Sequence, residues 1–269
     1  MLPLLLLAGT AVGLGANSKL NAEEAMRVTE QAQDEYASAI KKFKKTQKKT
    51  QETIAELGKT KLYIYGNQIT EFVSVFSQLK ETQLQEGKGL EEIAELPFHD
   101  MEVEKMHMDS LESIKFLESN PTADALISWG IGGIFGLAFY NSKMKEKRDN
   151  AYADLALVKK KVAEMELVED EFYIIQKNAE QLQCFYQRLA KIMDLANQNM
   201  KEIVQKKKMW SAYQEEEKNK IIVAMKTVQL LKAMIDLPLL GEDGTLTKDI
   251  CDVLSQRENV LQVLGCQVQ

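Results

Sequence analysis

From about Asn17 the chain settles into a helical rhythm of apolar and polar positions. Tyr36, Ile40, Phe43, Gln47, Thr50, Ile54 and Leu57 step by four and three, the spacing of a heptad seam that presents one helix face to another. The seam is poor in its middle, where Gln47 and Thr50 stand in place of large apolar groups. It resumes through Leu62, Tyr65, Ile69, Phe72, Phe76 and Leu79, and Gly58 and Gly66 are its weak points, either of which could mark a break. A shorter helix is predicted over Asp100–Glu118, with Met101, Met108, Leu111, Ile114 and Leu117 inward. Beyond it Tyr152, Leu155, Val158, Val162, Met165, Phe172, Ile175, Ala179, Leu182, Phe185, Leu189, Ile192, Ala196 and Ile203 keep the same rhythm. A further helix over Ala212–Ile235, a turn over Leu237–Thr245 and a last helix capped by Thr247 complete the chain. No run alternates convincingly with the period of a strand; Leu62–Ile64 is the best local candidate and lies inside a helical pattern.

Two segments interrupt this pattern because they carry no charge. Residues 1–16 (MLPLLLLAGTAVGLGA) are too short to span a bilayer as a helix, which takes about 20 residues, and lack the basic start of a secretory signal. A membrane anchor, a cleaved signal and a buried element all remain readings of it. Ala125–Ser142 is the second such segment, eighteen residues long. Gly132 and Gly136 form a GxxxG pair with Gly130 and Gly133 beside them, and Gly9 and Gly13 repeat the spacing in the first segment. Small residues so spaced let another backbone approach closely in an apolar setting. Trp129 and Tyr140 lie near the two ends, as interfacial aromatics do, and Lys143, Lys145, Lys147 and Arg148 follow at once, a flank suited to a cytoplasmic or anionic-lipid face. The competing reading is a core helix whose glycines permit close packing.

The expectation is therefore an all-α fold: a long-helix bundle or antiparallel coiled coil with short apolar glycine-rich segments. Its parts are 1–16 (apolar), 17–84 (long helix, with a possible break at 58–66), 85–124 (loop and short helix), 125–142 (glycine-rich), 143–209 (long helix) and 210–269 (C-terminal helices).

Composition supports this and excludes much else. Only four prolines occur, at Pro3, Pro97, Pro121 and Pro238, each near a suspected helix end. A net charge of −6 with both signs interspersed makes no field for nucleic acid. Six lysines crowd Lys41–Lys49, but on a helix they occupy everything except the seam, which makes a solvated face the simplest account. The three cysteines, Cys184, Cys251 and Cys266, are widely spaced and suit a reducing compartment better than a disulfide framework or zinc site. His99 and His107 are over two helical turns apart, too far for one metal. The glycines of Gly130–Gly136 fail the dinucleotide spacing, and no phosphate loop, nucleophile elbow or zincin motif occurs. No catalytic residue, cofactor, metal site or small-molecule substrate is expected.

Three stretches carry a likeness: Glu56-Leu57-Gly58-Lys59-Thr60-Lys61-Leu62-Tyr63-Ile64-Tyr65 leading to Phe72-Val73; Ala163-Glu164-Met165-Glu166-Leu167; and Leu237-Pro238-Leu239-Leu240-Gly241-Glu242-Asp243-Gly244-Thr245-Leu246-Thr247. With the glycine-rich start and centre, the chain resembles a family of bacterial long-helix proteins in which a central glycine-zipper apolar region separates two long charged helices. The central region there is often longer, enough for a membrane hairpin, whereas here it is a single run of eighteen. The likeness implies no catalytic residues. The layout is also similar to that of helical pore-forming toxins, in architecture only. The function expected is a non-enzymatic, membrane-associated helical protein, on the cytoplasmic side, that self-assembles through its glycine-rich segments. The alternatives are a soluble coiled-coil scaffold with a helical protein partner, or a secreted pore-forming effector.

Overall fold

The computed structural model describes residues 17–85, 100–132, 158–241 and 244–268. They form helices α1 (Asn17–Ile64), α2 (Thr70–Gln85), α3 (Asp100–Glu118), α4 (Ala123–Gly132), α5 (Val158–Val204), α6 (Glu215–Asp236) and α7 (Lys248–Val268). One turn of π-helix, Tyr65–Ile69, joins α1 to α2 without a break. Among the described residues the only β pairing is an isolated bridge, Leu240 with Leu246, in the turn before α7.

α1 and α5 are the spine, each about 70 Å long at ~1.5 Å per residue. The seam positions Phe43, Thr50, Ile54 and Leu57 are buried, as are Met165, Phe172, Ile175, Ala179 and Leu182 opposite them. Phe43 packs on Phe172 with ring centroids 5.7 Å apart. The weak middle of the α1 seam has its partner in Gln176, whose Nε2 donates to the Thr50 hydroxyl at 2.8 Å. A polar pair thus fills a layer where apolar groups are missing, and both of its members are buried.

The described residues form the expected all-α bundle, but its two long helices run parallel, not as an antiparallel coiled coil. Lys42 meets Glu169 (2.6 Å), Thr60 meets Gln183 (3.2 Å), Gln68 meets Asp194 (2.9 Å) and Glu71 meets Lys201 (3.2 Å), so both sequence numbers rise together. An antiparallel pair follows from a short connection. Here the chain between them holds α3 and α4, and α4 runs back against α1, returning the chain toward the start of the bundle. α6 then runs antiparallel to α5, with Lys206 against Glu217 (2.5 Å) at one end and the Tyr186 hydroxyl donating to the Met234 carbonyl (2.8 Å) at the other. α7 packs beside them, and Arg188 reaches its Glu258 at 2.8 Å. Its start is capped as expected, the Ile250 N–H donating to Thr247 Oγ1 at 3.4 Å.

The π turn occupies the place where the sequence suggested a break. Its wider winding releases backbone carbonyls from the α-helical ladder. Thr70 Oγ1 donates to the Tyr65 carbonyl (2.9 Å), and the buried Asn197 of α5 donates Nδ2 to the Gln68 carbonyl (2.9 Å). Asn197→Ala is expected to cost about 1–3 kcal/mol, the penalty of stranding a buried carbonyl. Urea unfolding followed by circular dichroism checks it; an unchanged midpoint would show that Asn197 does not hold the turn.

α3 has the predicted bounds but not the predicted face. Met108 is 66 % exposed and Leu111 40 %, while Val103, Met106, Ser110 and Ser113 are buried. Ile114 and Leu117 do turn inward; a Cβ added to Gly66 would lie 3.4 Å and 3.7 Å from their side chains. Serine on the inner face lets α3 lie close to the π turn, and a pattern search that scores serine as polar rotates the helix.

Candidate functional site

Among the described residues α1, α3, α4 and α6 come together at one junction, and two devices hold it. The first is made of glycine. A Cβ on Gly58 would stand 1.9 Å from the Leu126 carbonyl oxygen and 2.6 Å from the Gly130 nitrogen, and a Cβ on Gly130 would stand 2.1 Å from the Ile54 oxygen. α1 and α4 therefore cross backbone to backbone, each supplying a glycine at the crossing. Ile127, Trp129 and Ile131 are buried around it, Trp129 with its ring edge-on to Tyr65 (5.9 Å) and beside Phe116 (6.2 Å). The Ile131 carbonyl lies near the end of the described part of α4. The Leu239 N–H, from the turn after α6, donates to it.

The second device is a charged knot. Lys61, one helical turn past Leu57, is fully enclosed, and its ammonium donates to the Leu237 carbonyl at 3.3 Å. The Tyr65 hydroxyl donates to Asp236 Oδ1. Lys232 donates to Asp236 Oδ2 (2.6 Å) and pairs with Asp109 of α3 (3.2 Å), and its ammonium lies 5.7 Å from the centroid of the Tyr65 ring. Burial lowers the Lys61 pKa to about 8, with Asp236 opposing the shift. Burial and then the Asp236 charge push the Tyr65 phenol far up, and the same two causes raise Tyr186. For Lys232 burial works against the charge, but the Asp236 and Asp109 carboxylates outweigh it and hold its pKa above the ordinary lysine value.

These groups spend their hydrogen bonds on one another and on backbone carbonyls. Lys61 and Tyr65 are also closed to solvent, so neither meets a substrate in this arrangement. The knot ties α3 and α6 to α1, next to the glycine contact that ties α4. Among the described residues no group of three or more His, Cys, Asp or Glu could hold a metal ion. Cys184, Cys251 and Cys266 are free and exposed.

No protein-family model, curated protein or solved structure matches the chain.

Of the residues singled out in the sequence, Trp129 and Gly130 lie in the α1–α4 contact, and Gly132 is the last described residue of α4. Gly9, Gly13, Gly133, Gly136, Tyr140, Lys143, Lys145, Lys147 and Arg148 lie outside the described residues. Among the described residues no helix is long and apolar enough to cross a membrane. In the Lys41–Lys49 cluster, Phe43 is buried while Lys41, Lys42, Lys44, Lys45, Lys48 and Lys49 are exposed, with Lys42 bound to Glu169, as a solvated helix face would be. Sequence reasoning missed the knot. Its available signal was Lys61, placed one turn from Leu57 on one side and one turn from Tyr65 on the other, where the helix turns an apolar face inward.

Proposed function

We propose that this is a non-enzymatic, membrane-associated helical protein whose bundle anchors a glycine-rich apolar segment at one end and leaves the rest for lipid. The observation that carries the reading is the α1–α4 crossing. The first part of the charge-free run, to Gly132, is clamped at Gly58 and Gly130, and the run continues uncharged for ten residues from Gly133 to Ser142. Phe135, Phe139 and Tyr140 supply apolar area there, and the Lys143–Arg148 flank supplies attraction to anionic headgroups on a cytoplasmic face. Burial against α1 takes Ile127, Trp129 and Ile131 away from lipid, which makes an interfacial contact beyond the bundle a better reading than a full crossing.

The full chain is expected to float with phosphatidylserine-containing vesicles in a sucrose gradient. Phe135→Asp/Phe139→Asp together should leave it at the bottom. A wild-type chain that stays at the bottom with every vesicle composition would remove the membrane reading. It would leave a soluble helical scaffold, which the burial of Trp129 and Ile131 in the bundle also suits.

A further inference from the structure

α5 carries a second seam that the bundle does not use. Met165, Phe172, Ile175 and Ala179 are buried on its α1 side. At 3.6 residues per turn, Ala163, Leu167, Asp170, Ile174, Lys177 and Gln181 fall on the opposite side, stepping four, three, four, three, four. Leu167 is 66 % exposed, Ile174 51 % and the adjoining Tyr173 65 %, three large apolar side chains within eight residues. Asp170 and Lys177, both exposed, sit on the same line one heptad apart.

We propose that this outer face of α5 is the interface with a second copy of the chain, paired antiparallel about a two-fold axis between Tyr173 and Ile174. The charge pattern selects the occupant and its direction. In an antiparallel pair about that axis Asp170 faces Lys177 of the second copy, and Lys177 faces its Asp170, while Ile174 meets Tyr173 at the centre. A parallel pair in register would set Asp170 on Asp170 and Lys177 on Lys177, like against like. A two-fold axis brings one patch onto itself, so the patch must complement itself, and here Asp170 and Lys177 do so twice over. A lipid surface fits poorly, because Asp170 lies between Leu167 and Ile174 and would carry its carboxylate into the apolar layer. In sequence this surface is distinct from the glycine-rich segments through which membrane association is proposed.

Sedimentation equilibrium of the full chain over a concentration series tests it. The wild type is expected to dimerise, and Ile174→Glu to abolish dimerisation with helical circular dichroism unchanged. Asp170→Lys and Lys177→Asp should each weaken the dimer by about tenfold. The double variant Asp170→Lys/Lys177→Asp should recover wild-type affinity, an outcome that general misfolding cannot produce. A wild-type monomer at all concentrations overturns the proposal. So does association indifferent to both single reversals, which would place the contact elsewhere, or a double variant no better than the singles.

Discussion

Gly58→Ala is expected to destabilise the protein by about 3 kcal/mol, at the upper end of what overpacking costs. The added methyl would lie 1.9 Å from the Leu126 oxygen and 2.6 Å from the Gly130 nitrogen. Both are backbone atoms of α4, so no side chain can rotate away, and relief requires α4 to move off α1. That movement opens the packing of Trp129 on Tyr65 and the bond from the Leu239 N–H to the Ile131 carbonyl. Gly130→Ala should cost a similar amount, since its methyl meets the Ile54 oxygen at 2.1 Å. The two glycines serve one contact, so the double variant should cost less than the sum of the singles. Gly265 supplies the control. It lies in α7 with nothing within 4 Å of an added Cβ, and Gly265→Ala should stabilise by about 0.5–1 kcal/mol through helix propensity alone. Urea midpoints compared at constant slope measure all four variants; equal small effects at Gly58 and Gly265 would show that α4 does not press on α1.

The second large effect has the less intuitive sign. Lys61→Met is expected to stabilise the protein at pH 7. The unfolded chain holds the Lys61 proton with an ordinary pKa of 10.5 and the folded chain with one of about 8, because burial penalises the charge more than Asp236 supports it. The unfolded state therefore binds more protons between those values, and wild-type stability contributed by this group rises with pH across that window. Below pH 8 the full penalty applies, about 3 kcal/mol for a shift of that size. Methionine removes the penalty but strands the Leu237 carbonyl at about 1 kcal/mol, leaving a net gain of about 2 kcal/mol. The gain should shrink as pH climbs through 8 and give way to a loss of about 1 kcal/mol toward 10.5, where only the stranded carbonyl remains. Tyr65, Tyr186 and Lys232 act in the opposite sense above pH 10. Their folded pKa values are raised, so the folded state holds protons the unfolded state has released, and stability falls again. Wild-type stability should thus peak between pH 9 and 10, and Lys61→Met should flatten the rising side. Thermal midpoints from pH 7 to 10.5 read this; a destabilised Lys61→Met at pH 7 would mean the ammonium is a net support of the junction.

The faces of the long helices were legible because heptad spacing is a strong signal over so many turns. The positions from Phe43 to Leu57 and from Met165 to Ile203 pack as their periodicity implies. Their direction was not legible. A seam defines which side of a helix is buried, and the same seam serves a parallel or an antiparallel partner; only the chain path through α3 and α4 decides. α3 misled because its inner face uses Ser110 and Ser113 for closeness while Met108 and Leu111 stand in solvent. Gly58 read as a weak point in a helix, and its actual use is a close crossing with α4. Helix weakening and close approach call for the same residue, and a single sequence does not separate them. The knot escaped notice for a related reason. Lys61, Asp109, Lys232 and Asp236 come from three helices, and nothing short of the packed bundle places them together.

Tryptophan quenching by brominated lipid reaches the central claim most directly. In a Trp210→Phe background Trp129 is the only tryptophan, and it is buried against Tyr65 and Phe116. With anionic vesicles bearing brominated acyl chains, Trp129 should keep a blue-shifted emission and remain unquenched, because the Gly58–Gly130 contact holds α4 on the bundle. A tryptophan moved to position 140, as Trp129→Phe/Trp210→Phe/Tyr140→Trp, should be quenched by the same vesicles. Quenching at position 129, or none at position 140, would contradict a bundle that keeps α4 and offers the rest of the apolar run to lipid.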